Sequence, residues 1–201
     1  MPSDMAAREH ESVDLLKGLA AGLVAGLIAS WTMNRFQAMW SRQQVGVEKP
    51  HGAQGIKPYV EGQSSDESDE RDAVKGVGPG IKQQDDPAEK VAGAVTEGVL
   101  DRSLQESEKE RAGAVVHYVF GVGAGAFYGA LAEAAPAVTA FAGLPFGAVF
   151  WLAADEVTVP ALGLSRKPTE YPLSEHAYSL CSHLVYALTA EAVRRTVRRA
   201  L

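Results

Sequence analysis

Two carboxylates and two imidazoles flank the most apolar part of the C-terminal half. In "WLAADEVTVPALGLSRKPTEYPLSEHAYSLCSHLVYAL", Asp155 and Glu156 close one oily segment, and His176 and His183 open the next. Helical residues seven apart lie about 20° from one another around the axis, and a residue eight further on stays within roughly 80°. His176, His183 and Glu191 therefore share a face, and Tyr186, three residues from His183, can join it. His117 enters from a different apolar segment, beside Gly121 and Gly125. Imidazole and carboxylate together support three chemistries. They titrate near neutral pH, which would make a helical bundle proton-responsive. They also ligate metals, but two histidines seven apart stand about 10 Å apart along the axis, so a metal would need ligands from a second helix, and the spacing defines no set. His117 and His183, on separate helices, could clamp a haem b from two sides. Equally, each histidine can bond a neighbouring carbonyl or carboxylate and fix helix register, and on the primary reading no cofactor is expected.

The elements that position these residues read as helices made for lipid. The block "LLKGLAAGLVAGLIASWTMNRFQAMW" carries no charge from Gly18 to Asn34 and extends toward Trp40. About 20 helical residues cross a hydrocarbon core of about 30 Å. Behind an acidic head (Asp4, Glu9, Glu11, Asp14), this block reads as a retained span rather than a secretory leader. A second span is expected over Ala112–Ala132, and a third over Ala134–Ala154, kinked near Gly143, Pro145 and Gly147 and ended by Asp155 and Glu156. A fourth, Ala177–Ala190, is short for a crossing. Gly18, Gly22, Gly26 and Ser30 recur every four residues in the first span, and Gly121, Gly125 and Gly129 do so in the second. Such stripes let helix backbones approach closely in a membrane, within one chain or between copies.

Between these spans the chain changes character. "EGQSSDESDERD" has no large apolar residue and reads as a mobile acidic loop. "DDPAEKVAGAVTEGVL" carries a helix start, with Asp86 as cap, Pro87 at the first helical position and Glu89 placed for a capping box. Val91, Val95 and Val99 give it a narrow apolar stripe, as on a surface helix. Three regions follow: 1–42, the head and first membrane helix; 43–111, the acidic loop with an amphipathic helix from about 87; and 112–201, the C-terminal helical region.

Composition removes several function classes. A net charge of -6 offers no basic surface for a phosphate backbone, so nucleic acid is not an expected partner. The single cysteine, Cys181, rules out an internal disulfide framework. "GVGAGAFYG" superficially matches a dinucleotide fingerprint but lacks the preceding strand that such a turn requires, and no P-loop, G-x-S-x-G or H-E-x-x-H is present. An enzyme is not expected. Basic residues give no consistent orientation, because Arg194, Arg195, Arg198 and Arg199 compete with Arg35, Arg42, Lys109 and Arg111 and with Arg166 and Lys167.

The stretch from Asp155 to Arg195 resembles the C-terminal half of the bacterial YagU-like inner-membrane proteins, a family without an assigned molecular function. The likeness rests on Asp155-Glu156, the Pro160 to Gly163 loop, Tyr171-Pro172 before Ser174, and Ser182-His183-Leu184 followed by Glu191 and two arginines. It covers Val116 to Arg195 best and the first span loosely, and it departs from Gly46 to Arg111. The resemblance implies a multi-pass bacterial inner-membrane protein, with a polar cluster at one end of the bundle and Ser174 capping the last helix. It implies no reaction. The sequence therefore predicts an all-α membrane bundle of three to four hydrophobic helices plus an amphipathic surface helix. Its partners would be the lipid bilayer and, through the glycine stripes, other membrane helices or a second copy. The leading functional expectation is a pH-sensitive cluster of Asp155, Glu156, His176, His183, Glu191, His117 and Tyr186, serving proton or ion handling or an envelope acid-stress response. A haem or metal module and a glycine-packed scaffold are the alternatives.

Overall fold

In a computed structural model that describes residues 2–43, 87–100 and 105–201, every regular element among the described residues is helical. The helices are α1 (Pro2–Gln43), α2 (Pro87–Leu100), α3 (Glu106–Ala134), α4 (Leu144–Trp151), α5 (Val159–Ala161) and α6 (Leu173–Ala200). A tight 3-10 segment, Pro136–Gly143, joins α3 to α4, and a π-helical turn, Leu152–Thr158, joins α4 to α5. The acidic stretch 46–86 and the expected cap Asp86 lie outside the described residues. Among the described residues, three stretches are long and apolar enough to cross a membrane: Asp14–Trp40, Glu108–Ala134 and Pro136–Ala161.

α1 runs antiparallel to both α3 and α6, which run parallel to one another. At one end, here the terminal end, Asp14 of α1 meets Arg198 of α6. The opposite, loop end carries the α5–α6 connection, where the Lys90 ammonium of α2 donates to the Leu164 carbonyl at 2.8 Å. The arginines of the C-terminal turn and the pair Arg166 and Lys167 thus stand at opposite ends, and basic charge gives the bundle no preferred orientation. α6 is not among the three apolar spans. Its inward face carries Tyr178, Ser179, Ser182, His183, Tyr186, Glu191 and Arg194, all buried, so polarity on that face lowers its hydropathy without exposing it.

The interior is built from small and polar side chains, and the large apolar ones face out. Ala21, Ala25, Ala29 and Ala190 have no exposed surface, whereas Leu16, Leu27, Trp31, Val119, Phe127 and Val149 are each more than half exposed. Water would drive the opposite arrangement; lipid, as apolar as Leu, leaves close packing as the attraction. The two glycine stripes meet each other within the chain. A Cβ on Gly26 would stand 2.6 Å from the Gly121 carbonyl oxygen and 2.9 Å from the Val122 Cα, and one on Gly129 would meet the Gly22 Cα at 2.8 Å. α1 and α3 therefore touch backbone to backbone over three turns.

Three expectations need correction. The third span does not end at Asp155 and Glu156, because the chain stays helical to Ala161 through the π-helical turn. Pro160 supplies no N–H for the Glu156 carbonyl and crowds it, and the turn before it widens: Val159 N–H bonds the Ala154 carbonyl, and the Thr158 hydroxyl donates to the Ala153 carbonyl at 2.7 Å. Pro172, not Ser174, is the cap residue of α6. On α2 Ala88 and Ala92 are buried, whereas Val91 is only partly covered and Val95 is exposed. α2 packs closely on α3, with Glu89 against Gly113. The kink before α4 is sharper than proline alone would make it: Phe141, Ala142 and Gly143 are left-handed in succession (φ 50°, 57° and 80°).

Gly26→Ala is expected to cost about 1–3 kcal/mol or more, because the obstacle is backbone that cannot rotate away. Gly123→Ala, at a position with nothing within 4 Å, should be neutral or stabilising by up to ~1 kcal/mol. Thermal unfolding of both variants in detergent separates the two, and equal melting points would contradict the packing described.

Candidate functional site

The π-helical turn determines where the carboxylates point. By inserting an extra residue per turn it rotates Asp155 and Glu156 together onto α6, whose His176, Ser179 and His183 lie along one face. The Glu156 carboxylate meets His176 Nδ1 at 2.6 Å, while the other ring nitrogen of His176 donates to the Pro168 carbonyl at 3.0 Å. Both ring nitrogens of His176 thus face acceptors, an arrangement that only the doubly protonated imidazolium fully satisfies. The Glu156 carboxylate accordingly raises the His176 pKa above its ordinary 6.5, against a smaller opposing effect of burial. Glu175 on the same helix acts in the same direction, and Tyr171 presents its ring edge to the imidazole.

One turn deeper, the Ser179 hydroxyl donates a short hydrogen bond to Asp155. His183 Nδ1 donates to the Ser179 carbonyl at 3.0 Å and lies 3.8 Å from the Asp155 carboxylate. This fixes the neutral tautomer of His183, leaving its second ring nitrogen as the basic one. Asp155 and His183 border a partly open cavity with about 40 Å³ of room for water-sized groups, also lined by His117, Ser30, Phe150, Tyr186 and, on the outward side, the exposed Phe120. The Tyr186 hydroxyl donates to the Gly121 carbonyl at 2.6 Å, and so carries a glycine of the packing stripe into the cavity wall. Asp155 with Glu156, His176, Ser179, Glu175 and Tyr171 also lines a smaller recess at the loop end.

Glu191 does not join this group. Eight residues past His183 it has climbed about 12 Å along the axis, where it is 1% exposed and answers to a different set. The Tyr128 hydroxyl donates to it at 2.9 Å, Arg194 approaches through two nitrogens at 2.8 and 3.1 Å, and Arg195 bonds it as well. Arg198 then pairs with Glu133 of α3 at 2.9 Å and Asp14 of α1 at 2.7 Å. The structure thus brings together His117, Asp155, Glu156, His176, His183 and Tyr186, and places Glu191 in an ion-pair network at the terminal end. Ser179 and Tyr128 were not identified from sequence, and Ser30 was read only as a member of the α1 packing stripe. Ser179 sits between the two α6 histidines at a spacing of three and four, a signal that was present, whereas the role of Tyr128 depends on which helix faces it.

The space between His117 and His183 is far below the ~300 Å³ and upward that cofactor-sized ligands occupy. Among the described residues no three His, Cys, Asp or Glu side chains are placed to hold a metal ion. A family model described as "Protein of unknown function (DUF1440)" matches residues 89–192, from α2 into α6, and includes every member of the histidine–carboxylate group. No curated protein and no solved structure matches the chain.

Glu191→Ala leaves the buried Arg194 with the longer Glu133 contact, at 3.6 Å, in place of its main partner, and is expected to destabilise by about 3–5 kcal/mol. Asp14→Ala, which removes a half-exposed partner, should cost less than about 1 kcal/mol. Denaturation in mixed detergent micelles checks the ratio, and similar losses for the two would remove Glu191 from its central place in the network.

Proposed function

Because the chain belongs to the DUF1440 family of proteins of unknown function, and its helices present large apolar side chains outward, we propose that it is an integral membrane protein acting as a pH-responsive bundle rather than an enzyme. The observation that carries this reading is the pairing of both carboxylates of the π-helical turn with α6: Glu156 on His176, and Asp155 through Ser179 beside His183. Burying such groups is expensive, and in membrane proteins they commonly serve function. Here they join the α4–α5 arm to α6 at the loop end, so the charge state of a histidine changes how firmly two helices are held. The resemblance to YagU-like proteins supports a bacterial inner membrane as the setting, and the pairing of histidines with carboxylates supports proton or ion handling or an acid-stress response of the envelope as the biological role.

The sign follows from His176. A histidine whose pKa is raised by folding contributes stability fully below its unfolded value, here 6.5, and loses that contribution as pH rises through the folded value. The contact is therefore firm in acid and loosens toward alkaline pH, where neutral His176 can no longer donate to both acceptors. The haem alternative requires the helices carrying His117 and His183 to part. The scaffold alternative requires a surface other than the glycine stripes, which α1 and α3 occupy in packing against each other.

Histidine-selective NMR of the purified protein should show His176 titrating above an ordinary imidazole and moving down in Glu156→Gln, with the alkaline loss of thermal stability absent in His176→Gln. A His176 that titrates like a free imidazole and ignores Glu156 would overturn the reading. A Soret band or stoichiometric metal, lost on His183→Ala, would favour the cofactor alternative.

A further inference from the structure

Among the described residues, Asp155 alone lines both the recess at the loop end and the cavity beside His183. The recess is bordered by Glu156, Glu175, His176 and Tyr171, and the cavity by His117, His183, Ser30 and Tyr186. A space of about 40 Å³ with these polar walls exceeds the ~10–15 Å³ that one water molecule needs.

Beyond the cavity, toward the terminal end, the character changes. Phe150 stacks on Phe146 (5.8 Å between centroids) and leans on Tyr186 (5.8 Å), and Phe146 lies on Tyr128 at 4.5 Å. Tyr128 has no exposed surface and Tyr186 1%, and both hydroxyls are committed, to Glu191 and to the Gly121 carbonyl. Ala25, Ala29 and Ala190 fill the remaining space, and past them the Glu191 network holds its arginines in ion pairs.

From this layering we infer that the cavity beside His183 exchanges protons with the loop end alone, through Asp155, and that the bundle is a dead-end proton site rather than a path across. The inference rests on the pH-responsive reading and specifies the side from which it is addressed. The groups facing His183 are Asp155 from the π-helical turn, His117 from α3, and Ser179 and Tyr186 on its own helix; α1 contributes the uncharged Ser30 and Met33. The transfer balances with water as the only co-reactant. A hydronium ion in the recess gives its proton to an Asp155 carboxylate oxygen and leaves as water. The nitrogen nearer Asp155, Nδ1 at 3.8 Å, already donates to the Ser179 carbonyl. The Asp155 O–H therefore breaks as a water molecule in the cavity takes its proton and passes one of its own to His183 Nε2, restoring the carboxylate and the water and leaving an imidazolium.

The test is the rate at which the His183 ring N–H exchanges with water, read by histidine-selective NMR on the full chain in lipid nanodiscs. Asp155→Leu should slow exchange about a hundredfold, the lower end of what a positioned proton-transfer group contributes. Asp155→Asn, which keeps the size and the Ser179 contact, should slow it in the same direction, so a misfolded Leu variant does not decide the matter. Tyr128→Phe and Asp14→Asn, at the closed end, should leave it unchanged. Unchanged exchange in both Asp155 variants, or faster exchange in either terminal-end variant, overturns the inference. His176 reports separately in the same spectra, so failure of the pH-responsive reading, seen as a free-imidazole titration of His176, is distinguishable from failure of the one-sided route.

Discussion

Everything in this bundle depends on the backbone contact between α1 and α3. A Cβ on Gly22, Gly26, Gly125 or Gly129 would overlap the opposite helix, so the distance between the two axes is set by glycine and tolerates nothing larger. The contact is held by dispersion over many atom pairs, each worth about 0.1–0.2 kcal/mol, and by the exclusion of lipid from a seam too narrow to admit it. Its geometry reaches the polar residues directly: Ser30 continues the α1 stripe, Gly121 ends the α3 stripe, and Tyr186 of α6 bonds the Gly121 carbonyl. Widening the seam by one methyl would therefore move the wall of the histidine cavity.

The bundle then divides its polar groups between two ends with different physics. At the terminal end, three carboxylates and three guanidinium groups are matched in fixed geometry and join α1, α3 and α6. Guanidinium stays charged at any physiological pH, so this end is a permanent fastening. At the loop end the cations are imidazoles, whose charge follows the medium. One end is fixed and the other conditional, and the aromatic layer of Phe146, Phe150, Tyr128 and Tyr186 separates them.

Much of the architecture was legible because the signals are periodic and local. Uncharged runs of about 20 residues mark the spans, and a period of four in Gly18, Gly22 and Gly26 and in Gly121, Gly125 and Gly129 marks the faces that meet. The association of Asp155 and Glu156 with His176 and His183 could be suspected from their positions flanking one loop. What could not be read depends on distance in space. Glu191 shares an angular face with the histidines, but rise along the axis separates it from them and delivers it to Tyr128. The π-helical turn was hidden for a related reason: a proline four residues downstream widens the helix instead of ending it, so Asp155 and Glu156 look like a boundary in sequence and become an inward-turned pair in the fold. On α2 the valine stripe was the stronger hydrophobic signal, yet Ala88 and Ala92 are buried there and Val95 is exposed.

The inward polarity of α6 bears on the order in which the bundle is built. A segment carrying His183, Glu191 and Arg194 is a poor candidate to enter a bilayer alone, whereas α1, α3 and the α4–α5 arm are each apolar enough to do so. α6 follows all three in the chain, and the partners that neutralise it, Tyr128, Glu133, Asp155 and Asp14, belong to helices already synthesised. Biogenesis on the membrane reading is thus a templated docking: the earlier helices form an open cleft, and the last one is admitted because that cleft solvates its charges in place of water.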